Sequence, residues 1–361
     1  MIINLFAGPG GVDMGARILG LTGQIHGYDI DADACATAMA AGFARTQASV
    51  LDLDPDGMRG VTGAVITSPC PTFSTSGKRT GLGDLPHILK AIERLGDSQA
   101  GVGPDDGWAE VYAQVQDVRS ALVAEAARFA LRLPHLQWLV CEQVPGVTPI
   151  WQEMCAELAT SHDFLACFVL TIHGEDLGLA SRRTRTFVIA TRHRIPDLNG
   201  LPFRDGWACG KYAAPTNLLP EAGRRISAVT MAQALGWPAG ERINTRGVRK
   251  TSGGNEFSAD QPAWCLTEKA RSWRRVSDGT QLTAAEAGLL TGFPTDYPWR
   301  GARSKCFLQA ADVVPPPVAA AVLGAALGLD WETPVRDYLA GIYPPPVETA
   351  YQPSLFEGAA A

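Results

Sequence analysis

Short apolar runs alternate with helical stretches along the first half of the chain. Six runs have the length and boundaries of buried strands: residues 1–6, 24–28, 63–67, 136–141, 164–171 and 186–190. Five segments have a helical pattern: residues 12–19, 31–41, 120–131, 150–160 and 318–327. This alternation indicates an α/β fold with a doubly wound, mainly parallel, Rossmann-like sheet, whose ligands bind at the carboxyl ends of the strands.

Two regions break the alternation. Residues 75–117 include a glycine-rich segment and predict a long mobile excursion after the third strand. Residues 192–279 are rich in Arg, Trp, Gly and Pro and lack regular periodicity, which predicts a second, smaller domain. We therefore expect a larger domain at 1–191 completed by 305–330, a smaller irregular domain at 192–304, and a proline-rich, poorly ordered tail at 331–361.

The charge of the chain is segregated. The net charge is −6, yet residues 181–275 hold 17 Lys and Arg against 7 Asp and Glu, a local balance of +10. A solvated basic face would explain this, but segregation of this size also indicates a region that binds a polyanion. With 46% hydrophobic and 19% charged residues, the composition excludes disorder of the chain as a whole.

Cysteine spacing and hydropathy indicate a cytoplasmic protein without a metal. The eight cysteines form no C-x-x-C pair, and no His cluster has metal spacing, so a structural zinc site is not expected. The most apolar stretch, at 313–329, contains three consecutive prolines that disfavour a membrane-spanning helix. The first residues lack the basic leader of a signal peptide.

A glycine-rich turn at residues 6–11 lies between the first strand and the first helix. Glycines let a ligand approach the backbone closely, and a helix N-terminus favours negative charge. The segment is therefore either a nucleotide-type binding turn or a purely structural one. Asp29 closes the next strand, where a carboxylate can hold both hydroxyls of a ribose or cap the following helix.

Three further strand ends carry side chains suited to catalysis. Cys70 follows the third strand between two prolines, either as a nucleophile at the mouth of the cleft or as a small buried hydrophobe. Glu142 ends the fourth strand, where burial would raise its pKa and let it donate a proton; a helix cap or a solvated strand end is the alternative. Arg183 and Arg185 alternate onto one face of the last strand, which could equally be a solvated face.

Taken in order, these segments resemble the DNA (cytosine-5) methyltransferase family over residues 1–75, 120–190 and 280–329. Phe-Ala-Gly-Pro-Gly-Gly at 6–11 is similar to the family's S-adenosylmethionine turn, and Pro69-Cys70 to its catalytic Pro-Cys. Glu142-Gln143-Val144 stands where the family usually has Glu-Asn-Val. Three more segments resemble the Gln-x-Arg-x-Arg motif, the segment before the last motif, and the Gln-x-Gly-Asn-x-Val-Pro motif: residues 181–185, 289–297 and 309–315.

The sequence departs from the family's residues at a few motif positions. These are Asn4 in place of Asp before Leu-Phe, Gln143 in place of Asn, Ser181 in place of the leading Gln, and Ala311-Asp312 in place of Gly-Asn. The Asp expected at the adenine amine falls at Ser49, although Asp52 is close by. The family's residues for the chemistry itself are all present: Cys70, Glu142, Arg183 and Arg185.

The resemblance implies methyl transfer from S-adenosylmethionine to carbon 5 of a cytosine flipped out of double-stranded DNA, as in restriction–modification systems. Cys70 would add to carbon 6 while Glu142 protonates ring nitrogen 3, and Arg185, with Arg183 nearby, would hold the cytosine carbonyl. The implied cofactor-binding residues are Phe6, Ala7, Gly8, Gly10, Gly11, Asp29, Ile30, Ser49, Pro69, Asp312 and Val313. The candidate DNA-binding residues are Ser74, Arg224, Arg225, Arg246, Arg249, Lys250, Arg271, Arg274 and Arg275, with 192–304 as the target-recognition domain.

We expect a monomer of a bacterial or phage-encoded type. The same resemblance leaves two alternative functions. A catalytically silent DNA-binding or regulatory homologue would be marked by loss of Cys70 or Glu142, and both are present. A tRNA cytosine-5 methyltransferase on the same scaffold tends to lack a large recognition domain. Roughly 90 residues are available here between the flanking motifs, which favours DNA.

Overall fold

The computed structural model describes residues 1–69, 72–73, 80–97, 112–161, 163–211, 223, 225–246 and 255–343. Their centre is an eight-stranded sheet with the strand order β3-β2-β1-β4-β5-β7-β6-β8. Its strands are β1 (Ile2–Leu5), β2 (Ile25–Asp29), β3 (Arg45–Gln47), β4 (Gly63–Ile66), β5 (Trp138–Gln143), β6 (Ala166–His173), β7 (Thr184–Thr191) and β8 (Asp205–Cys209).

The first five strands run parallel, in the 3-2-1-4-5 order of a doubly wound sheet. Strand β7 reverses direction between β5 and β6, and β8 pairs antiparallel with β6 at the edge. The predicted α/β class is therefore confirmed, with a sheet that is mixed beyond β5. The parallel arrangement brings the carboxyl ends of β1, β2, β4 and β5 to one edge of the sheet.

Helices cover both faces of this sheet. They are α1 (Gly11–Ile18), α2 (Ala32–Ala40), α3 (Thr80–Asp97), α4 (Val118–Ala121), α5 (Glu125–Arg132), α6 (Thr148–Ser161), α7 (Met231–Leu235), α8 (Ala284–Leu290), α9 (Arg303–Asp312), α10 (Pro316–Leu327) and α11 (Glu332–Ile342). Helices α1, α10 and α11 contribute to one apolar core, and α3, α5 and α6 to the other. Both faces are buried, which explains the continuously apolar strands.

Part of the predicted mobile excursion at 75–117 is helix α3. Its side chains Ile88 and Ile92 are fully buried, one turn apart on the same face, and α3 packs against α6. Two glycines and Pro86 lie in its first two turns and give the sequence the composition of a loop. Packing of the apolar face overrides this weak local propensity.

The prediction of a poorly ordered tail at 331–361 is wrong for residues 331–343. Four buried residues, Trp331, Val335, Leu339 and Tyr343, follow one another at a spacing of four and lie on one face of α11 and its two capping positions. Pro334 lies in the first turn, where its missing N–H has no helical partner to lose. This stretch is therefore part of the core, and residues 344–361 lie outside the described part of the chain.

The predicted smaller domain at 192–304 contains two structural parts. Strand β8 belongs to the large sheet, because Cys209 and Asp205 pair with Cys167 and Thr171 of β6. A separate three-stranded antiparallel sheet follows, formed by β9 (Arg242–Asn244), β10 (Glu256–Ser258) and β11 (Arg274–Arg275). The domain boundary proposed at residue 192 therefore precedes an edge strand of the larger sheet.

One helical stretch of the described residues, Arg303–Leu327, is long and apolar enough to cross a membrane by composition alone. It spans α9 and α10, and 89% of its most apolar window is buried inside the fold. Its apolar character is accounted for by packing against the sheet and α1.

Candidate active site

The glycine-rich turn between β1 and α1 is held by Asp29. The Gly8 N–H donates to Asp29 Oδ2 at 2.7 Å, and the Asp31 N–H donates to Oδ1 at 2.8 Å. Gly8 has a φ of 55°, in the left-handed region that glycine adopts most readily, and a Cβ there would meet nothing within 4 Å. The turn therefore faces open space beside the Asp29 carboxylate.

The helix that follows β2 is capped by Asp31, whose Oδ1 accepts from the N–H groups of Asp33 and Ala34. Asp31, not Asp29, is therefore the N-cap of α2, which excludes the helix-capping role that the sequence also allowed for the Asp29 carboxylate. Each Asp29 oxygen accepts one backbone N–H bond and keeps a second lone pair for a ligand.

Exposed apolar side chains follow Asp29. Ile30 is 71% exposed, an unusual environment for a large aliphatic residue, and Leu51 is 45% exposed. Ser49 is adjacent to the end of β2, because the Ala48 N–H donates to the Asp29 carbonyl. The Ser49 hydroxyl accepts from the Leu51 N–H at 3.2 Å and starts a short 3₁₀ turn. Asp52 is exposed.

Glu142 and Arg185 form a pair at the same edge. Strand β7 runs antiparallel to β5, so the beginning of β7 lies beside the end of β5. Arg185 Nε lies 2.9 Å from Glu142 Oε1. Burial raises the pKa of Glu142, while the positive charges of Arg185 and Arg183 act in the opposite direction. The environment therefore favours a protonated carboxyl more than water would.

Arg183 has a different set of contacts. Its Nη1 donates to the Ala311 carbonyl and its Nη2 to the Asp312 carbonyl at 3.0 Å. The side chain is buried, and burial lowers the pKa of this guanidinium. Arg183 thus holds the end of α9, where Asp312 is exposed and Val313 is buried, while Arg185 holds Glu142.

Gln143 binds the backbone directly before Cys70. Its Nε2 donates to the carbonyls of Ser68 at 2.9 Å and Pro69 at 3.0 Å, and its Oε1 accepts from the Val144 N–H at 2.6 Å. The side chain is almost fully buried. From the sequence, Gln143 is only a departure from a motif. Its hydrogen bonds to the backbone that follows β4 were not predicted. Cys70 itself and Ser74 lie outside the described residues.

The predicted DNA-binding Arg and Lys residues differ in whether groups of the protein already bind their side chains. Arg224, Arg249 and Lys250 lie outside the described residues. Three others bind groups of the protein: Arg271 pairs with Glu268, Arg274 donates to the Gly279 carbonyl at 2.8 Å, and Arg275 donates twice to Glu241 at 3.1 and 3.0 Å.

Two candidates remain on the surface. Arg225 is exposed and lies 3.4 Å from Asp176. Arg246 is exposed, and within the described ranges its side chain has no partner. Trp264 was not predicted: it is exposed, and its ring stacks on Phe257 at 4.8 Å. A tryptophan within the basic segment is the sequence signal that could have identified it.

No group of three His, Cys, Asp or Glu side chains in the described ranges could hold a metal ion. The site described above is composed instead of backbone amides, two carboxylates, two arginines and one amide side chain.

Comparisons with known proteins connect this geometry to a fold. No family model matches the sequence, and no curated protein matches it significantly. Solved structures do match: Entamoeba histolytica methyltransferase EhMeth has a TM-score of 0.58 at 11% identity, with 91% of this chain and 97% of that chain covered.

Two further structures match over similar lengths. Spodoptera frugiperda DNMT2 has a TM-score of 0.52 at 13% identity and covers 90% of this chain and 99% of its own. A protein described as a DNA modification methyltransferase, from an E. coli prophage, has a TM-score of 0.52 at 17% identity and covers 91% and 98%. This chain therefore has the α/β fold of the methyltransferases, in agreement with the resemblance in its motifs.

Proposed function

We propose that the chain transfers a methyl group from S-adenosylmethionine to carbon 5 of a cytosine flipped out of DNA. The observation that carries this proposal is the shared edge of the sheet. The turn with Asp29, the backbone before Cys70 and Glu142 lie at the carboxyl ends of adjoining strands. Arg185, at the beginning of the antiparallel strand β7, reaches the same edge. A cofactor and a base bound at this edge would lie next to each other.

S-adenosylmethionine fits the turn. The remaining lone pairs of Asp29 can accept the ribose hydroxyls, and the exposed Ile30 offers an apolar surface for the adenine. The open space at Gly8 and the N-terminus of α1 suit the carboxylate of the methionine moiety. When bound, the cofactor supplies an electrophilic methyl group on a sulfonium.

The protein's own residues would activate the cytosine. The Cys70 thiolate forms a bond to carbon 6, and Glu142 gives its proton to ring nitrogen 3, so the ring electrons become available at carbon 5. After methyl transfer, loss of the carbon 5 proton expels Cys70, and nitrogen 3 returns its proton to Glu142. Arg185 holds Glu142 in place, and its positive charge would favour the thiolate form of Cys70.

The basic second half would bind the DNA. Residues 192–304 contain the three-stranded sheet, the exposed Arg246 and most of the positive charge of the 181–275 segment. Exposed arginines bind phosphates without sequence preference, and base contacts add specificity. We therefore assign target recognition to the part of this range that follows β8.

The test uses mixed-sequence duplex DNA with 5-fluorocytosine in place of cytosine. Fluorine does not leave as a proton does, so the wild-type protein with S-adenosylmethionine should form a covalent complex that survives denaturation. The matched control is Cys70→Ser, which replaces a thiol of pKa about 8.5 with a hydroxyl that is barely ionised at neutral pH. This variant should bind DNA and form no adduct.

Three results would contradict the proposal. An adduct that maps to another cysteine, such as Cys141, would move the nucleophile. A parallel reaction with labelled cofactor and a tRNA pool tests the alternative substrate: methylation of tRNA without methylation of DNA would overturn the DNA assignment. Cofactor binding without transfer to either polymer would indicate a catalytically silent homologue.

A further inference from the structure

A buried polar network lies beneath the glycine-rich turn. Asn4 on β1, Gly27 on β2 and Arg45 on β3 form one row across three adjacent strands. Gly27 has no side chain, and a Cβ there would overlap the guanidinium of Arg45. The glycine therefore lets the arginine cross over β2 towards the first helix.

The target of this arginine is Asp13, in the first turn of α1. Arg45 Nη2 lies 2.9 Å from Asp13 Oδ2, and both side chains are fully buried. Asn4 Nδ2 donates to the same oxygen at 3.1 Å. One carboxylate thus joins β3 to β1 and α1, and β1 and α1 are the two elements that flank the turn at residues 6–10.

The network is only partly satisfied. Two acceptors, Asn4 Oδ1 and Asp13 Oδ1, and two donors, Arg45 Nε and Nη1, are buried without a hydrogen-bond partner. Burying an ion pair with unpaired groups costs free energy, and an apolar trio would pack at lower cost. Such a cost is common at functional sites, where a fixed geometry matters more than stability.

We propose that Asn4, Asp13 and Arg45 are positioning residues that set the β1–α1 turn for S-adenosylmethionine. The network needs one negative charge between the arginine and an amide, and that charge can sit on α1 or on β1. In this chain it is on Asp13, which explains why position 4 departs from the acidic residue expected from the motif. This inference rests on the proposed function, because it concerns the same cofactor.

The test exchanges the two side chains. Asn4→Asp alone puts two carboxylates against each other, and Asp13→Asn alone leaves Arg45 without a counter-ion. Each should weaken S-adenosylmethionine binding roughly tenfold or more. The double variant Asn4→Asp/Asp13→Asn restores one carboxylate and one amide, and should bind within about threefold of wild type, as measured by calorimetry.

A matched control separates positioning from general stability. Leu158 is buried in α6, in the core on the other face of the sheet, so Leu158→Ala should lower Tm and leave cofactor affinity unchanged. If Leu158→Ala weakens binding as much as Asn4→Asp at a similar loss of Tm, the network has no positioning role. A double variant that is unfolded, or folded but still about tenfold weaker, also overturns the proposal. Failure of the wild type to bind the cofactor would instead refute the proposed function.

Discussion

At the scale of the residue, Glu142 is subject to two opposing influences. Burial disfavours its charged form, and Arg185 favours it. The net direction is a raised pKa, so the proton needed for the proposed chemistry is retained to higher pH than in a solvated glutamate. A carboxyl at the end of an apolar strand was predictable from the sequence. Its arginine partner lies 43 positions later in the sequence. The two side chains meet because β7 runs antiparallel to β5 and places its first residues beside the end of β5.

Glu142→Gln should lower the rate of methyl transfer by about 10²–10⁴ and leave S-adenosylmethionine affinity unchanged, because the amide cannot give up a proton. Single-turnover kinetics with labelled cofactor measure the first quantity and calorimetry the second. In the wild type, the rate should fall as pH rises through the raised pKa of Glu142. The variant should lack this dependence; if it retains both rate and pH profile, Glu142 is not the proton donor.

Gln143→Ala should slow trapping by 5-fluorocytosine DNA more than it weakens cofactor binding. Removal of the amide leaves the Ser68 and Pro69 carbonyls without their donor, at a cost of about 1–3 kcal/mol. Because these carbonyls precede Cys70, the position of the nucleophile should change. Gln143→Asn, one methylene shorter, should recover part of the rate. Equal trapping rates in all three proteins would rule out this role.

At the scale of the element, α11 shows how a local composition can mislead. Its proline-containing start resembles a tail, whereas its apolar stripe is visible only when read at a spacing of four. Leu339→Ala should destabilise the protein by about 2–5 kcal/mol in urea unfolding, since it leaves a cavity in the core. Arg336→Ala, which removes only an exposed pair with Glu332, should cost less than about 1 kcal/mol. Equal effects would mean that α11 does not dock through this stripe.

Glu241, directly before β9 of the three-stranded sheet, binds Arg275 of β11 and Ser277. Hydrogen bonds from the Ser277 hydroxyl, from the backbone N–H groups of Arg242 and Ser277, and from Arg275 lower the pKa of the Glu241 carboxyl to about 2. A depressed folded-state pKa means that the carboxylate stabilises the fold above about pH 4.5 and loses this effect as the pH falls towards 2. Glu241→Gln should therefore lower the free energy of unfolding by roughly 1–3 kcal/mol at neutral pH. The stability of this variant should also fall less steeply than that of the wild type as the pH is lowered. If denaturation measured from pH 6 to 2 shows the same pH dependence of stability in the variant and the wild type, Glu241 does not have this role.

At the scale of the whole molecule, the charge is unevenly distributed: residues 181–275 carry a net charge of +10, whereas the rest of the chain is acidic. DNA affinity should fall steeply with salt, and Arg246→Ala should reduce the slope by about 1, because each phosphate contact releases counter-ions. Arg275→Ala is the contrasting variant: its side chain is committed to Glu241, so its main effect should be on stability. Fluorescence titration at several salt concentrations measures both slopes. An affinity independent of salt would exclude a phosphate interface.

The sequence by itself determined the alternation of strands and helices, the turn with its acidic partner, and the strand ends that carry Glu142 and the arginines. These depend on local periodicity and on short motifs, which neighbouring residues suffice to specify. The tertiary structure decided what depends on contacts between distant positions: the mixed sheet beyond β5, the docking of α3 and α11, and the division of roles between Arg183 and Arg185. It also decided the meaning of two motif departures. Gln143 reaches the backbone of Ser68 and Pro69, and Asn4 serves a carboxylate on α1, because the fold brings donors and acceptors together that the linear order leaves far apart.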